Sequence, residues 1–314
     1  DMDINKEILN LDWKREPYGL YEPIEYTLAA GGKRVRPQLA MIASQLFGGK
    51  DEEVLPAALA LEVFHNFTLL HDDVMDKADV RRGRPTVHVK WNENTAILSG
   101  DQMLIEAYKL LSGVPADKLP KVLQLFNKMA TEICEGQQYD VDFENQEQVT
   151  IDEYLKMIRL KTSVLLANAL QTGAYIAGAD EQAQEALYQF GINIGLAFQI
   201  QDDILDYSKE LNTGKTYGND IREQKITLPL ILGLNNATEK QRAEIRDLYH
   251  KETITQQEVD NIIDTITELG GIAKAKETID MYINKAYTLL DCLPNNQYKQ
   301  SLQLLIHQIA TREK

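Results

Sequence analysis

No proline falls between Pro120 and Pro229, and across that stretch apolar residues recur every three to four positions. Leu187, Phe190, Ile194 and Ala197-Phe198 form one such stripe, and Leu155, Ile158, Thr162 and Leu165-Leu166 form another. That period marks one buried face of an α-helix, whereas a half-buried strand alternates every two residues. Val, Ile and Thr are scattered instead of alternating over short runs bounded by turns, so strands are not expected. Breaks fall at Gly31-Gly32, Gly48-Gly49, Gly83 to Pro85, Pro115 to Pro120, Asn145 to Thr150, Gly178 to Asp180, Asn212 to Asn219, Asn235 to Thr238 and Gly270-Gly271. No linker is long or low in complexity, and no repeat period shows. Residues 1–314 therefore predict a single all-α domain, a large bundle of roughly ten helices.

Charge narrows the function classes. The 48 acidic residues against 33 basic ones give a net charge of −15, which argues against a nucleic-acid partner, since phosphate neutralisation needs a basic face. No run approaches the roughly 18 apolar residues of a membrane helix, so no stable membrane insertion is expected. Asp1 to Lys6 lacks the apolar core of a signal peptide. Cys134 and Cys292 have neither metal-ligand spacing nor the look of a disulfide framework. A cytoplasmic protein is the expectation.

Two aspartate clusters stand out against this background: Asp72-Asp73-Val74-Met75-Asp76 and Asp202-Asp203-Ile204-Leu205-Asp206. On a helix, residues four apart share a face, so Asp72 with Asp76 and Asp202 with Asp206 are stacked like charges that need a positive partner. Oxygen-only carboxylate sets suit Mg²⁺, which takes a few carboxylates together with water and substrate phosphates. Apolar neighbours (Leu69, Leu70; Phe198, Ile200) argue against a merely solvated acidic face. The cations are concentrated in a glycine loop, Gly31-Gly32-Lys33-Arg34-Val35-Arg36-Pro37, and in Arg81-Arg82-Gly83, one short loop after the first cluster. A glycine pair lets the backbone approach a ligand closely, and the flanking cations supply charge for a phosphate.

In their order and spacing, Gly31-Gly32-Lys33-Arg34-x-Arg36-Pro37, His65, Asp72-Asp73-x-x-Asp76 with Arg81-Arg82-Gly83, Gly136-Gln137-x-x-Asp140, Lys161-Thr162 and Gln199-x-x-Asp202-Asp203-x-x-Asp206 resemble the trans-isoprenyl diphosphate synthases, also called polyprenyl synthetases. Each motif alone is weak; the ordered set, from about Glu22 to about Gly233, is specific. The resemblance implies a helical bundle of isoprenoid-synthase type with a central active-site cavity, usually a homodimer. It also implies a prenyltransferase that joins isopentenyl diphosphate head to tail to an allylic diphosphate (dimethylallyl, geranyl or farnesyl), with three Mg²⁺ per active site. Asp72, Asp76 and Asp202 are then the expected direct metal ligands, and Asp73, Asp203 and Asp206 ligands or their supports. Arg81, Lys161, Lys215 and Lys225 would meet the allylic diphosphate. Gly32, Lys33, Arg36, His65 and Arg82 would hold isopentenyl diphosphate without metal, and Thr162 and Gln199 would present oxygens to the allylic cation. Phe67 and Thr68, five and four residues before Asp72, are expected to set product length. An aromatic there goes with C15 or C20 products, and geranylgeranyl diphosphate is favoured over a longer C30–C40 chain. A class I terpene cyclase typically keeps one aspartate motif and lacks the glycine loop, and a non-catalytic partner subunit usually loses motif residues; this chain keeps them all. The region after Asn236 carries no motif.

Overall fold

The computed structural model describes residues 2–209 and 217–311. Among these residues, eleven helices of eleven residues or more and five shorter ones carry the chain. The all-α expectation holds, apart from a two-residue hairpin in which Val80–Arg81 pairs with Arg84–Pro85. The chain forms two compact units, one comprising Asp1–Asn127 and Asn168–Leu187, the other Lys128–Ala167 and Tyr188–Lys314.

The spine of the first unit is the helix Asp51–Met75. Asp51, Glu52 and Glu53 fill its first turn, where the positive end of the helix dipole favours anions. Val54, Ala57, Ala58, Leu61 and Phe64 are buried along it, and the helices Val35–Leu46 and Glu93–Leu111 pack against it. Close approach depends on small residues: a Cβ at Gly100 would lie 2.3 Å from the His71 ring. By length and composition this spine could cross a membrane, contrary to the sequence expectation, yet most of its apolar stretch is spent on the core of its own unit.

In the second unit, the helix Ile151–Ile158 runs into a π-helical turn, Arg159–Ser163, before α-helix resumes at Val164–Ile176. The wider turn breaks the uninterrupted stripe expected through Thr162: Leu160 and Ser163 turn inward, and Thr162 is left half-buried. The motif-free C-terminal region has a clear structural role. Helices Glu239–Tyr249 and Gln256–Glu268 open with capping boxes at Thr238 and Thr255. They contribute Ile245, Val259, Ile262, Ile263 and Ile266 to a core that seats Tyr207, Ile221 and Leu230. Tyr207 directly follows Asp206, so these helices back the second aspartate motif.

Candidate active site

In the first unit, the loop of Gly31 (φ +85°) and Gly32 (φ +128°) uses backbone conformations that side chains disfavour. It brings Gly32 under Arg82, whose guanidinium would lie 3.1 Å from a Cβ at that position and donates to the Gly31 carbonyl at 2.6 Å. Arg82 and Gly83 form the hairpin's two-residue loop with φ of +53° and +73°, the pattern of a type I′ turn. This turn sends neighbouring arginines to different partners. Arg81 makes a fork on Asp73, with Nε to Oδ2 and the terminal nitrogen to Oδ1 both at 2.8 Å. Burial works against the Arg81 charge, but the Asp73 hydrogen bonds and the charges of Asp73, Asp72 and Asp76 more than offset it and raise its pKa. Arg82 belongs to the glycine loop instead.

Beneath that loop lies Glu62, 2% exposed. Burial raises its pKa, against the pull of Arg34, Arg36, Arg82 and a hydrogen bond from Asn66 Nδ2 at 3.0 Å. Arg34, though inside the motif, is structural: it is buried at the start of the helix Val35–Leu46 and donates to the Leu28 carbonyl and to Asn5 Oδ1. Arg36 is different. Burial lowers its pKa, Glu62 opposes this, and its buried Nε has no hydrogen-bond partner. His65 is held well below the usual imidazole range by burial and by Arg36, Arg82, Arg81 and Arg34, so it is neutral. Lys33 is exposed. The five residues expected to hold isopentenyl diphosphate thus fall in one neighbourhood, with a buried polar group still to be satisfied.

The first aspartate motif closes the spine helix, with Asp76 as its C-cap. The second spans the end of the helix Glu181–Leu205. Carboxylates at the negative end of a helix dipole raise its potential unfavourably, and a cation relieves it. The donors are hard oxygens, which fits Mg²⁺. Among the described residues no three carboxylate, imidazole or thiolate groups already close on a metal position. Mg²⁺ suits such a set because it keeps waters and phosphate oxygens as its remaining ligands.

The carboxylates of each motif differ in commitment. Asp72 is half-buried, Asp76 is exposed, and Asp73 is tied to Arg81. In the second unit Asp202 is half-buried, whereas Asp203 is 3% exposed and accepts from the Tyr154 hydroxyl and from Gln199 Nε2 at 3.2 Å. Burial pushes Asp203 up to about 8 despite those donors. Asp206 accepts from the Asp220 backbone N–H at 3.2 Å, and burial raises its pKa as well. Asp220, which the motif reading missed, is lifted to about 6 by burial and then by the charge of Asp206.

Lys161 and Thr162 are carried on the π-turn. Gly136 makes room for it, since a Cβ there would lie 2.6 Å from the Lys161 nitrogen, and Gly195 packs equally closely on Ser163. Asp140 holds the Lys161 ammonium at 2.7 Å. The motif Gly136-x-x-x-Asp140 therefore shapes and braces the turn that presents Lys161. Lys225 is exposed beside Glu223; Lys215 lies outside the described residues.

The polyprenyl synthetase family model matches residues 17–266. The geranylgeranyl diphosphate synthase of Methanosarcina mazei is 41% identical over 300 residues, covering 95% of this chain and 91% of that one. The crystal structure of a geranylgeranyl pyrophosphate synthetase from Pyrococcus horikoshii superposes with a TM-score of 0.93 at 37% identity, over 99% of this chain and 95% of that one. A decaprenyl diphosphate synthase from Rhodobacter capsulatus reaches a TM-score of 0.92 at 30% identity, again over 99% and 95%, so backbone shape alone does not set product length. Matched along nearly its whole length, and with its cations divided between a glycine loop and an aspartate motif, the chain belongs to the polyprenyl synthetase family of prenyltransferases.

Proposed function

We propose that the protein condenses isopentenyl diphosphate with allylic diphosphates, head to tail, and stops at geranylgeranyl diphosphate. The observation that carries this is the division of the two neighbouring arginines. Arg81 is locked to Asp73 of a carboxylate motif, and Arg82 sits on the glycine loop near Arg36. One diphosphate would bind through metal and carboxylates, the other through cations alone, so only the first is activated to leave. Asp72, Asp76 and Asp202 would hold Mg²⁺, which when bound would supply charge to stabilise the departing diphosphate. Lys161 and Lys225 would add cationic contacts to it. Neutral His65, with Lys33, Arg36 and Arg82, would orient isopentenyl diphosphate. Thr162 and Gln199 would turn oxygens toward the allylic cation, and the departed diphosphate would accept the final proton. The C20 product is favoured by Phe67 and by the relatives named for geranylgeranyl diphosphate.

The test is incubation with farnesyl diphosphate, isopentenyl diphosphate and Mg²⁺. A C20 product after dephosphorylation is expected, and excess chelator abolishes it. Undiminished product in chelator sinks the metal reading, and no product from any allylic primer sinks the reaction itself.

Site assignment gives a second expectation. Arg36→Ala and Arg82→Ala each raise the KM for isopentenyl diphosphate by roughly tenfold or more, the worth of one charge-assisted hydrogen bond. Lys161→Ala acts on the allylic KM. Steady-state kinetics with each substrate varied separately reads both, and an exchange of the two effects would reverse the assignment.

A homodimer is supported by the helix Glu93–Leu111, which leaves Ile97, Leu98 and Ile105 exposed at 41%, 60% and 52%. An apolar strip of this kind on a surface helix favours a protein interface. Light scattering is expected to give twice the 35.6 kDa chain mass, and Leu98→Asp to reduce it; a monomeric wild type excludes the dimer.

A further inference from the structure

Tyr154 is a buried, polar side chain that no part of the proposed mechanism uses. It is less than 2% exposed, on the helix Ile151–Ile158. Its hydroxyl donates to Asp203 Oδ2, across 49 positions in sequence. The other oxygen of the same carboxylate, Oδ1, accepts from Gln199 Nε2 at 3.2 Å, one helical turn upstream. The backbone N–H of Leu228 also donates to this carboxylate. Asp203 is therefore enclosed by donors from three segments of one unit. That is an unusual fate for the middle residue of a motif whose neighbour, Asp202, is half-buried.

The consequence falls on Gln199. A carboxamide has one end that donates and one that accepts, and the two differ little in shape, so its orientation is set by what it meets. Both oxygens of the Asp203 carboxyl group accept, Oδ2 from Tyr154 and Oδ1 from Gln199. The Gln199 amide thus turns its nitrogen to Asp203, and the planar geometry then aims Oε1 to the opposite side. Gln199 is half-buried, not sealed in the core, so that oxygen can meet a ligand. A carbonyl oxygen stabilises a developing allylic cation, whereas an N–H₂ in the same place would oppose it. A carboxylate free to rotate would hold the amide poorly, and the Tyr154 hydroxyl removes that freedom by engaging the second oxygen.

We propose that Tyr154 and Asp203 are positioning residues that act through Gln199, holding its amide with the carbonyl oxygen toward the reacting allylic carbon, and that Asp203 is not a metal ligand. The proposal rests on the prenyl-transfer reading above. It goes beyond that reading by separating the roles of Asp202 and Asp203 and by giving work to a residue outside every motif. Two neighbouring observations fit the same picture. Gly195 lets the helix of Gln199 pack on Ser163, next to Thr162, the other oxygen donor. Tyr154 precedes Lys161 by two helical turns on the segment that becomes the π-turn.

The experiment uses the full chain with saturating Mg²⁺ and measures kcat, both substrate KM values and the Mg²⁺ concentration for half-maximal rate. Tyr154→Phe keeps the ring and the core packing. It is expected to lower kcat roughly tenfold, the effect of one hydrogen bond to a charged group, with both KM values and the Mg²⁺ requirement within about twofold of wild type. Asp203→Asn lets the new amide donate to Gln199 and turn it over, so kcat drops by roughly a hundredfold while the Mg²⁺ requirement again holds. In a Gln199→Ala background, Tyr154→Phe is expected to cost nothing further, because the group it positions is gone. This cycle does not depend on the stability of Asp203→Asn, and circular dichroism of each variant checks folding. An unchanged kcat in Tyr154→Phe, or equal losses with and without Gln199, overturns the positioning role. A tenfold rise in the Mg²⁺ requirement of Asp203→Asn makes Asp203 a ligand and overturns the second half. A wild type that makes no prenyl product would instead defeat the functional reading, and the same assay shows this before any variant is compared.

Discussion

Asp202→Ala is expected to lower kcat by roughly 10²- to 10³-fold, the loss seen when one preorganised group stabilising transition-state charge is removed, and to leave the fold intact. The second motif uses its oxygens unevenly. Asp203 gives both to Tyr154 and Gln199, and Asp206 accepts backbone N–H groups from the turn at Asn219–Arg222. Asp202 is half-buried, and the family resemblance makes it the member of this motif expected to ligate metal directly. A metal ion at this helix end would depend on it most. Asp72→Ala should behave alike for the first motif, where Asp73 is already held by Arg81. Because each variant removes one negative charge from a repulsive cluster at the unfavourable end of a helix dipole, thermal stability without metal is expected to hold or rise. Steady-state turnover and a melting curve read the two effects separately. Near-normal turnover in either variant would remove that aspartate from the ligand set.

This uneven use of the aspartates marks where sequence reasoning reached its limit. The helical class was legible because the apolar period is local, and the order of motifs was legible because it is one-dimensional. Asp203 is held by a tyrosine 49 residues away, and no spacing rule within the motif predicts that partner. The π-turn was hidden for a related reason. Its sequence, Arg159-Leu160-Lys161-Thr162-Ser163, contains no breaker, and its wider backbone is accommodated by glycines on other helices, Gly136 and Gly195. The hairpin was missed because it is only two residues per strand, and its loop is Arg82-Gly83, not one of the common Asn-Gly or Asp-Gly pairs. Arg34 shows the reverse error available to motif reading: its charge is spent on the Leu28 carbonyl, Asn5 and Glu62, in the interior. The signal that could have separated it from Arg36 is its place at the first turn of a helix, where the backbone takes a left-handed conformation (φ +52°) and the side chain folds back.

Phe67→Ala is expected to lengthen the product by one or more C5 units. A tail growing from a diphosphate at Asp72 and Asp76 would run back along the spine helix, and Phe67 lies five residues before Asp72, roughly 7.5 Å along the axis at 1.5 Å per residue. The ring is half-buried, unlike Phe64, which is 2% exposed. It stands in a column of aromatic contacts: to His71 at 4.9 Å and to Phe64 at 5.6 Å, with Phe64 in turn 5.2 Å from Phe126. Rings set edge to face or tilted at these spacings hold one another in place, so Phe67 would make a firm floor and not a mobile gate. Thr68 donates to the His65 carbonyl at 2.6 Å and offers a small, satisfied side chain, which leaves Phe67 as the bulk at this level. Removing that ring opens the space down to Phe64, the next floor one turn deeper. Because Phe67 is only half-buried, the stability cost stays below the roughly 3–5 kcal/mol of a fully buried Phe→Ala change, so the variant remains folded and assayable. Chromatography of dephosphorylated products decides the matter, with wild type expected at C20 and the variant at C25 or beyond. A wild type giving mainly C30 or longer chains, or a variant with an unchanged product spread, moves the floor to Phe64 or to the facing helix Glu93–Leu111. Phe64→Ala then separates these two: a longer product places the floor on Phe64, and an unchanged one places it on the neighbouring helix.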